Sequence, residues 1–311
     1  MSLRPASDQW EFTSIQQTFL QQMKEGFKEF LAASSAASVA VTFTNPLDLL
    51  KTKLQLQAEL NKGAVHFSSF RQLLKKIWQV EGGPLGFQRG LSAAIVYQIS
   101  MNGIRFPIYT SLKAHWNVEA TLWKNLAFGG IAGAVAALAS SPFNLIRIRM
   151  QAFSSSSCLP TGDQHNYSSL WKGLREITSN NGFVALFRNA HIFVARTSIG
   201  SCCQLATYDA AKDLLNDKCE GLPLHLTASS VAGFANSLVV CPLDVTITRI
   251  QNQSFKGKYY SGFFDCIFKI VKYEGFFSLY RGFFPLLLRL GPHSMLTFAF
   301  YEYFVGLLKP L

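Results

Sequence analysis

Charge is scarce in this sequence, and where it enters apolar stretches it follows a pattern. Pro46 is followed by Asp48, Lys51 and Lys53, Pro142 by Asn144, Arg147 and Arg149, and Pro242 by Asp244, Ile247 and Arg249. After Pro46 the apolar and charged residues alternate at helical spacing, which makes that half of the helix amphipathic. Three more cations, Arg105, Arg196 and Arg289, stand among Ala, Ile, Phe and Leu. An arginine at the middle of a spanning helix costs about 2.5 to 3.5 kcal/mol on the insertion scale, so it needs a partner or a task. Arg196 and Arg289 have no acid nearby in sequence, and two guanidinium groups can hold the ends of a small dianion by paired hydrogen bonds. The plainer alternative is that Arg105 or Arg289 snorkels to the interface or pairs with Glu302. His191 and His293 titrate in a range that suits proton movement, and each is equally well a packing residue.

The elements that position these residues come in threes. The prolines are spaced almost evenly along 311 residues, each at the end of a small-residue apolar run, so three repeated units are expected. The pattern divides the chain into a polar extension over 1–25 and repeats over 26–118, 119–220 and 221–311. In each repeat a long helix contains the proline and is expected to kink there. A polar loop, such as Gly63 to His66, leads to a short amphipathic surface helix over Phe67 to Val80, Tyr167 to Thr178 or Tyr260 to Tyr273. A glycine stop precedes a second long helix. The fold class is an all-α membrane protein: six transmembrane helices in three pseudo-threefold repeats, each with a short surface helix.

Composition supports a bilayer environment. Apolar residues make up 49%, charged residues only 15%, and there are 27 Phe; too few charges are available to cover a soluble core of that size. The net charge of +11 suits basic loops beside an anionic membrane or a cavity for an anion. The bases are spread through all repeats without a finger, arm or RNA-binding signature, which argues against nucleic acid as a partner. Six cysteines without a CxxC pair argue against a disulfide or metal framework. No nucleotide-binding, metallohydrolase or nucleophile-elbow motif occurs in a plausible setting, so neither an enzyme nor a cofactor is expected. Residues 1–27 mix acids with bases, unlike a cleaved transit peptide, so an organelle address would lie inside the chain.

These features resemble the mitochondrial carrier family, whose repeats continue with an acid-glycine pair, four residues, an aromatic, a base and a glycine. The third repeat matches fully, with Glu274-Gly275 and Tyr280-Arg281-Gly282. The second has Asn181-Gly182 and Phe187-Arg188-Asn189; the first has Glu81 one residue early, Gly83, and Gln88-Arg89-Gly90. The resemblance covers about residues 26 to 308.

The resemblance implies roles. Asp48, Lys51, Arg147 and Asp244 would form a matrix gate, as the pairs Asp48–Arg147 and Asp244–Lys51. Asn144 and Ile247, one acid and one base short, would fall in the same uncharged pair. A cytosolic gate would use Tyr109, Lys113, Tyr208, Asp209, Lys212, Tyr301 and Glu302, with Glu302–Lys113 its one salt bridge. Substrate positions fall on Tyr97, Gln98, Arg196, Thr197 and Arg289, with Arg105 a third positive group towards the cytosol. Lys53, Arg149 and Arg249 are expected as solvated helix ends. The implied function is transport of small dicarboxylates or oxo-acids (oxaloacetate, malate, malonate) across the mitochondrial inner membrane by alternating access. The alternatives are sulfate or phosphate as cargo, or a non-transporting membrane adaptor that keeps the fold. A monomer beside lipid, cardiolipin in particular, is the implied working form, and the fold also occurs in peroxisomal and plastid membranes.

Overall fold

The computed structural model describes residues 6–57, 59, 70–116, 122–154, 162–215, 222–255, 257 and 259–308, with most side chains from residue 26 onward. The loop expected at Gly63 to His66 lies outside the described residues, as do the side chains of the polar extension and that of Asp209. No strand occurs among the described residues. Six long helices dominate: α1 (Ala6–Gln55), α4 (Leu91–His115), α5 (Leu122–Ala152), α7 (Ala190–Leu215), α8 (Leu222–Asn252) and α10 (Phe283–Leu308). Among the described residues, Gly26–Gln55, Ala127–Ala152 and Thr227–Asn252 are long and apolar enough to cross a membrane, with mean hydropathies of 1.2, 1.4 and 1.5. α1 begins well before the expected Gly26, so the helix runs on into the polar extension.

The long helices pack in a closed ring, α1 on α4, α4 on α5, α5 on α7, α7 on α8, α8 on α10 and α10 back on α1. Small residues let the backbones approach. Ala32, Ala33, Ala36, Ala37 and Ala40 are fully buried on α1, and a Cβ on Gly103 of α4 would lie 2.4 Å from Ser34 Oγ. α1, α5 and α8, which carry Pro46, Pro142 and Pro242, also touch one another. The ring is therefore drawn together at one end, here called the proline end.

Three surface helices brace that end: α2 (Phe70–Val80), α6 (Leu170–Asn181) and α9 (Phe263–Glu274). α6 and α9 start three residues later than their apolar patterns suggested, whereas Phe67 to Ser69, expected to open α2, lie outside the described residues. At α6 the reason is Ser169, whose side chain accepts a hydrogen bond from the Lys172 amide and caps the helix there. Leu73 and Ile77 pack on Leu49 and Leu50, Leu170 and Ile177 on Leu145 and Ile146, and Cys266 and Ile270 on Val245. A short turn follows each surface helix, α3 (Pro84–Phe87) or the 3₁₀ turns Phe183–Phe187 and Phe276–Tyr280.

Two departures from the repeat pattern have local reasons. Gly90, Asn189 and Gly282 all have positive φ, at 75°, 64° and 84°, and asparagine is the side chain that best tolerates that region after glycine. Gln88 replaces an aromatic residue. Pro46 has no N–H to give the Thr42 carbonyl one turn back, and Gln88 Nε2 donates to that oxygen at 3.1 Å.

Candidate functional site: a cationic cavity above a threefold seal

The ring encloses a cavity of about 710 Å³. Tyr97, Gln98, Arg105, Arg196, Thr197 and Arg289 all line it, so the structure brings the six substrate candidates into one space. Tyr97, Gln98 and Arg105 come from α4, Arg196 and Thr197 from α7, and Arg289 from α10. Lys51, Arg147 and Asp244 line the same cavity at its proline end, and Tyr109 and Tyr208 line it towards the other.

The ion pairs differ from the expected set. Lys51 Nζ lies 2.5 Å from Asp244 Oδ2. Asp48, expected opposite Arg147, instead accepts a hydrogen bond from Arg289 Nη1 at 3.2 Å. Arg147 stacks over the Tyr97 ring, 4.6 Å from its centroid. Arg196 was expected without an acid, yet its Nε and Nη2 donate to the two oxygens of Asp244 at 2.6 and 3.2 Å. Arg289 pairs with Asp48 rather than Glu302, and Arg105 donates to Ser201 Oγ at 3.2 Å. The reason for the difference is reach. A guanidinium one or two turns away along a neighbouring helix extends to a carboxylate that a repeat-by-repeat rule assigns elsewhere.

His293 sits in a hydrogen-bonded row that fixes its tautomer. Asn102 Nδ2 donates to Gln98 Oε1, leaving the Gln98 amide to face His293 Nε2 at 2.9 Å. Thr44 donates to the Ala40 carbonyl, so at 3.1 Å it accepts from His293 Nδ1. His191 is exposed.

Below the cavity lies a cyclic set of contacts that the sequence reading did not single out. Gln151 Oε1 accepts from Thr52, Gln251 Oε1 accepts from Asn144 at 2.9 Å, and Gln55 Oε1 accepts from Thr248. Each glutamine thus bonds a different repeat from its own. All three stand nine residues after their proline, a signal that was readable in the threefold alignment. The Asn144–Gln251 bond occupies the place where the charged pair is missing.

Lys53, Arg149 and Arg249 are not solvated helix ends: their exposures are 0%, 2% and 0%. Lys53 pairs with Glu81 at 3.0 Å, which shows that the early acid still reaches its base. Arg249 pairs with Glu274 at 2.5 and 2.9 Å. Arg149, with Asn181 where an acid would be, donates to the carbonyls of Gln251 and Gln253 and to the Tyr167 hydroxyl. Beside this seal, burial in the loop before α6 lowers the His165 pKa to about 4, helped by the Arg149 charge. Its Nε2–H donates to the Asn252 carbonyl at 2.7 Å.

The opposite end is different. Lys113, Lys212 and Glu302 are exposed, and among the described residues no ion pair joins Glu302 to Lys113. Thr110, at the position where the other repeats carry an acid, donates to Glu29 of α1 at 2.6 Å. Tyr301 stacks on Phe106, with ring centroids 5.7 Å apart.

A six-helix ring with an internal charged cavity, sealed at one end by bonds between repeats, defines a membrane-spanning solute carrier and not an enzyme. The family model described as mitochondrial carrier protein matches residues 22–120, 118–219 and 220–310, and the chain belongs to that family. It is a multi-pass protein of the mitochondrial inner membrane. It is 36% identical to the mitochondrial oxaloacetate transport protein of Saccharomyces cerevisiae, over 93% of this chain and 91% of that protein. To the mitochondrial citrate transporter E of Aspergillus niger it is 37% identical, over 88% and 91%. To the human mitochondrial 2-oxoglutarate/malate carrier protein it is 35% identical, over 88% of each chain.

Proposed function

We propose that this carrier moves small dicarboxylates or oxo-acids across the inner membrane by alternating access. The observation that carries the reading is that Arg196 and Arg289 enter one cavity from two helices and each already holds a carboxylate, Asp244 or Asp48. A dianion offers the same chemical group twice. Its two ends can replace Asp244 and Asp48 on these arginines, with Gln98 and Thr197 as polar neighbours, at a smaller desolvation cost than a bare cavity would impose. Relatives named for oxaloacetate, citrate, and 2-oxoglutarate with malate point to the same chemistry, since each of these anions has two or three carboxylates.

Exchange of partners also couples binding to movement. Taking Arg289 removes the ion-pair partner of Asp48, and taking Arg196 removes one of two from Asp244. The proline end then loses ties between helices and opens, while Glu302 and Lys113 approach at the other end. The binding energy of the substrate offsets the broken pairs.

Reconstitution into liposomes loaded with malate, oxaloacetate, malonate, sulfate or phosphate tests the reading. Counter-exchange of the diacids is expected, and Arg196→Ala and Arg289→Ala should each lose about thirtyfold or more, as for 2 to 5 kcal/mol. Exchange confined to sulfate or phosphate would replace the cargo. No exchange of any anion would favour the adaptor.

A further inference from the structure

Among the described residues, the four cations at the cavity floor, Lys51, Arg147, Arg196 and Arg289, face two carboxylates, Asp48 and Asp244. Asp244 takes Lys51 and Arg196, and Asp48 takes Arg289. Arg147 is the surplus charge. Asn144, one turn before it on α5, donates its amide to Gln251, and Ile247 on α8 has no charge to offer. The Nε of Arg147 is buried without a hydrogen-bond partner. A half-buried cation with a buried, unused donor is held at a cost, which something must offset.

Tyr97 shows how it is kept ready. The guanidinium carbon lies over the ring, 4.6 Å from the centroid, and the ring in turn packs on Phe193 at 6.2 Å. A cation–π contact holds the charge through the ring and leaves the fork of N–H donors available for a planar carboxylate. Both residues line the cavity.

We propose that Arg147 is a substrate residue rather than a gate residue: with Tyr97 beneath it, it is the first docking point for one carboxylate of the anion. It is the cavity-floor cation that an anion can take without first displacing an aspartate. The other carboxylate then competes with Asp244 for Arg196 or with Asp48 for Arg289. The inference rests on the proposed function for the identity of the anion, and on the local charge count for the role of the residue.

The test is the anion-induced rise in unfolding temperature of the full chain in detergent, measured with malate, oxaloacetate, sulfate and phosphate. Arg147→Gln should lose the rise for whichever anion produces it in the unaltered protein. In liposomes the same variant should raise KM about tenfold or more with the rate at saturation changed less than about threefold, the mark of lost binding. Asp48→Asn should not restore the KM of Arg147→Gln, because no hydrogen bond or ion pair joins the two side chains. A malate response retained in Arg147→Gln overturns the role of Arg147 and leaves dicarboxylate transport standing. A response to sulfate or phosphate alone, lost in Arg147→Gln, overturns the dicarboxylate reading and leaves Arg147 standing. Recovery of normal KM in the Asp48→Asn, Arg147→Gln double variant makes Arg147 a gate residue. No response of the unaltered protein to any anion overturns both.

Discussion

The two ends of the barrel are built from the same threefold plan and have diverged in different ways. At the proline end each lost charge has a replacement in place: Gln251 bonds Asn144, and backbone carbonyls of the third repeat receive Arg149. At the opposite, tyrosine-bearing end the candidate charges Lys113, Lys212 and Glu302 stand exposed, and Thr110 bonds Glu29 of α1 rather than a side chain of α7 or α10. The difference teaches where the stability of this conformation resides. Buried charges demand partners, so the sealed end is networked apart from Arg147, whereas solvated charges at the open end cost little while they wait.

The largest effect should come from Asp244, which holds Lys51 and Arg196 together. Asp244→Asn leaves the buried Lys51 and the half-buried Arg196 short of their counter-charge, a change worth about 3 to 5 kcal/mol when one partner of a buried pair is removed. Thermal unfolding in detergent should show a marked drop, and transport should fail. A variant as stable as the unaltered protein would break the comparison at its strongest point.

Next comes the pH response of the sealed end. Burial lowers the pKa of His165 from the ordinary imidazole value of about 6.5 to about 4, so the folded state binds fewer protons than the unfolded chain between those values. The stability it contributes is present above pH 6.5 and is lost as pH falls towards 4, on the order of 1 to 2 kcal/mol after screening. His165→Gln should flatten that part of the unfolding profile, and an unchanged slope would remove His165 from the account.

A smaller change tests the neutral replacement. Asn144→Ala removes one buried hydrogen bond to Gln251, about 1 kcal/mol. The pair Asn144→Asp with Ile247→Lys would restore a third charged tie; it should favour the sealed conformation and slow transport. Faster transport in that double variant would show that the seal does not limit the cycle.

Much of this was legible because a repeat states each rule three times. The prolines located the kinked helices, the apolar stripes located the surface helices, and the arginines of α4, α7 and α10 located the cavity. Partner choice was not legible. Helical periodicity gives the face a side chain occupies but not its height against a tilted neighbour, so Asp48 was matched with Arg147 while Arg289 reaches it. Burial of Lys53, Arg149 and Arg249 was also hidden, because the groups that receive them include carbonyls from other repeats, and a carbonyl has no signature in sequence.

The smallest effects should arise at the tyrosine end, and they set the comparison most sharply. Glu302→Gln and Lys113→Gln remove exposed charges that are unpaired with one another in this conformation, so unfolding should shift by less than about 0.5 kcal/mol in either variant. If those two residues meet when the barrel closes at that end, each variant should slow transport by the same factor, and the double variant by no more than either alone. Additive slowing would mean that they act separately and that the closed end is held by its tyrosines. A loss of stability comparable to that of Asp244→Asn would mean that the open end already carries load, and the contrast between the two ends would be lost.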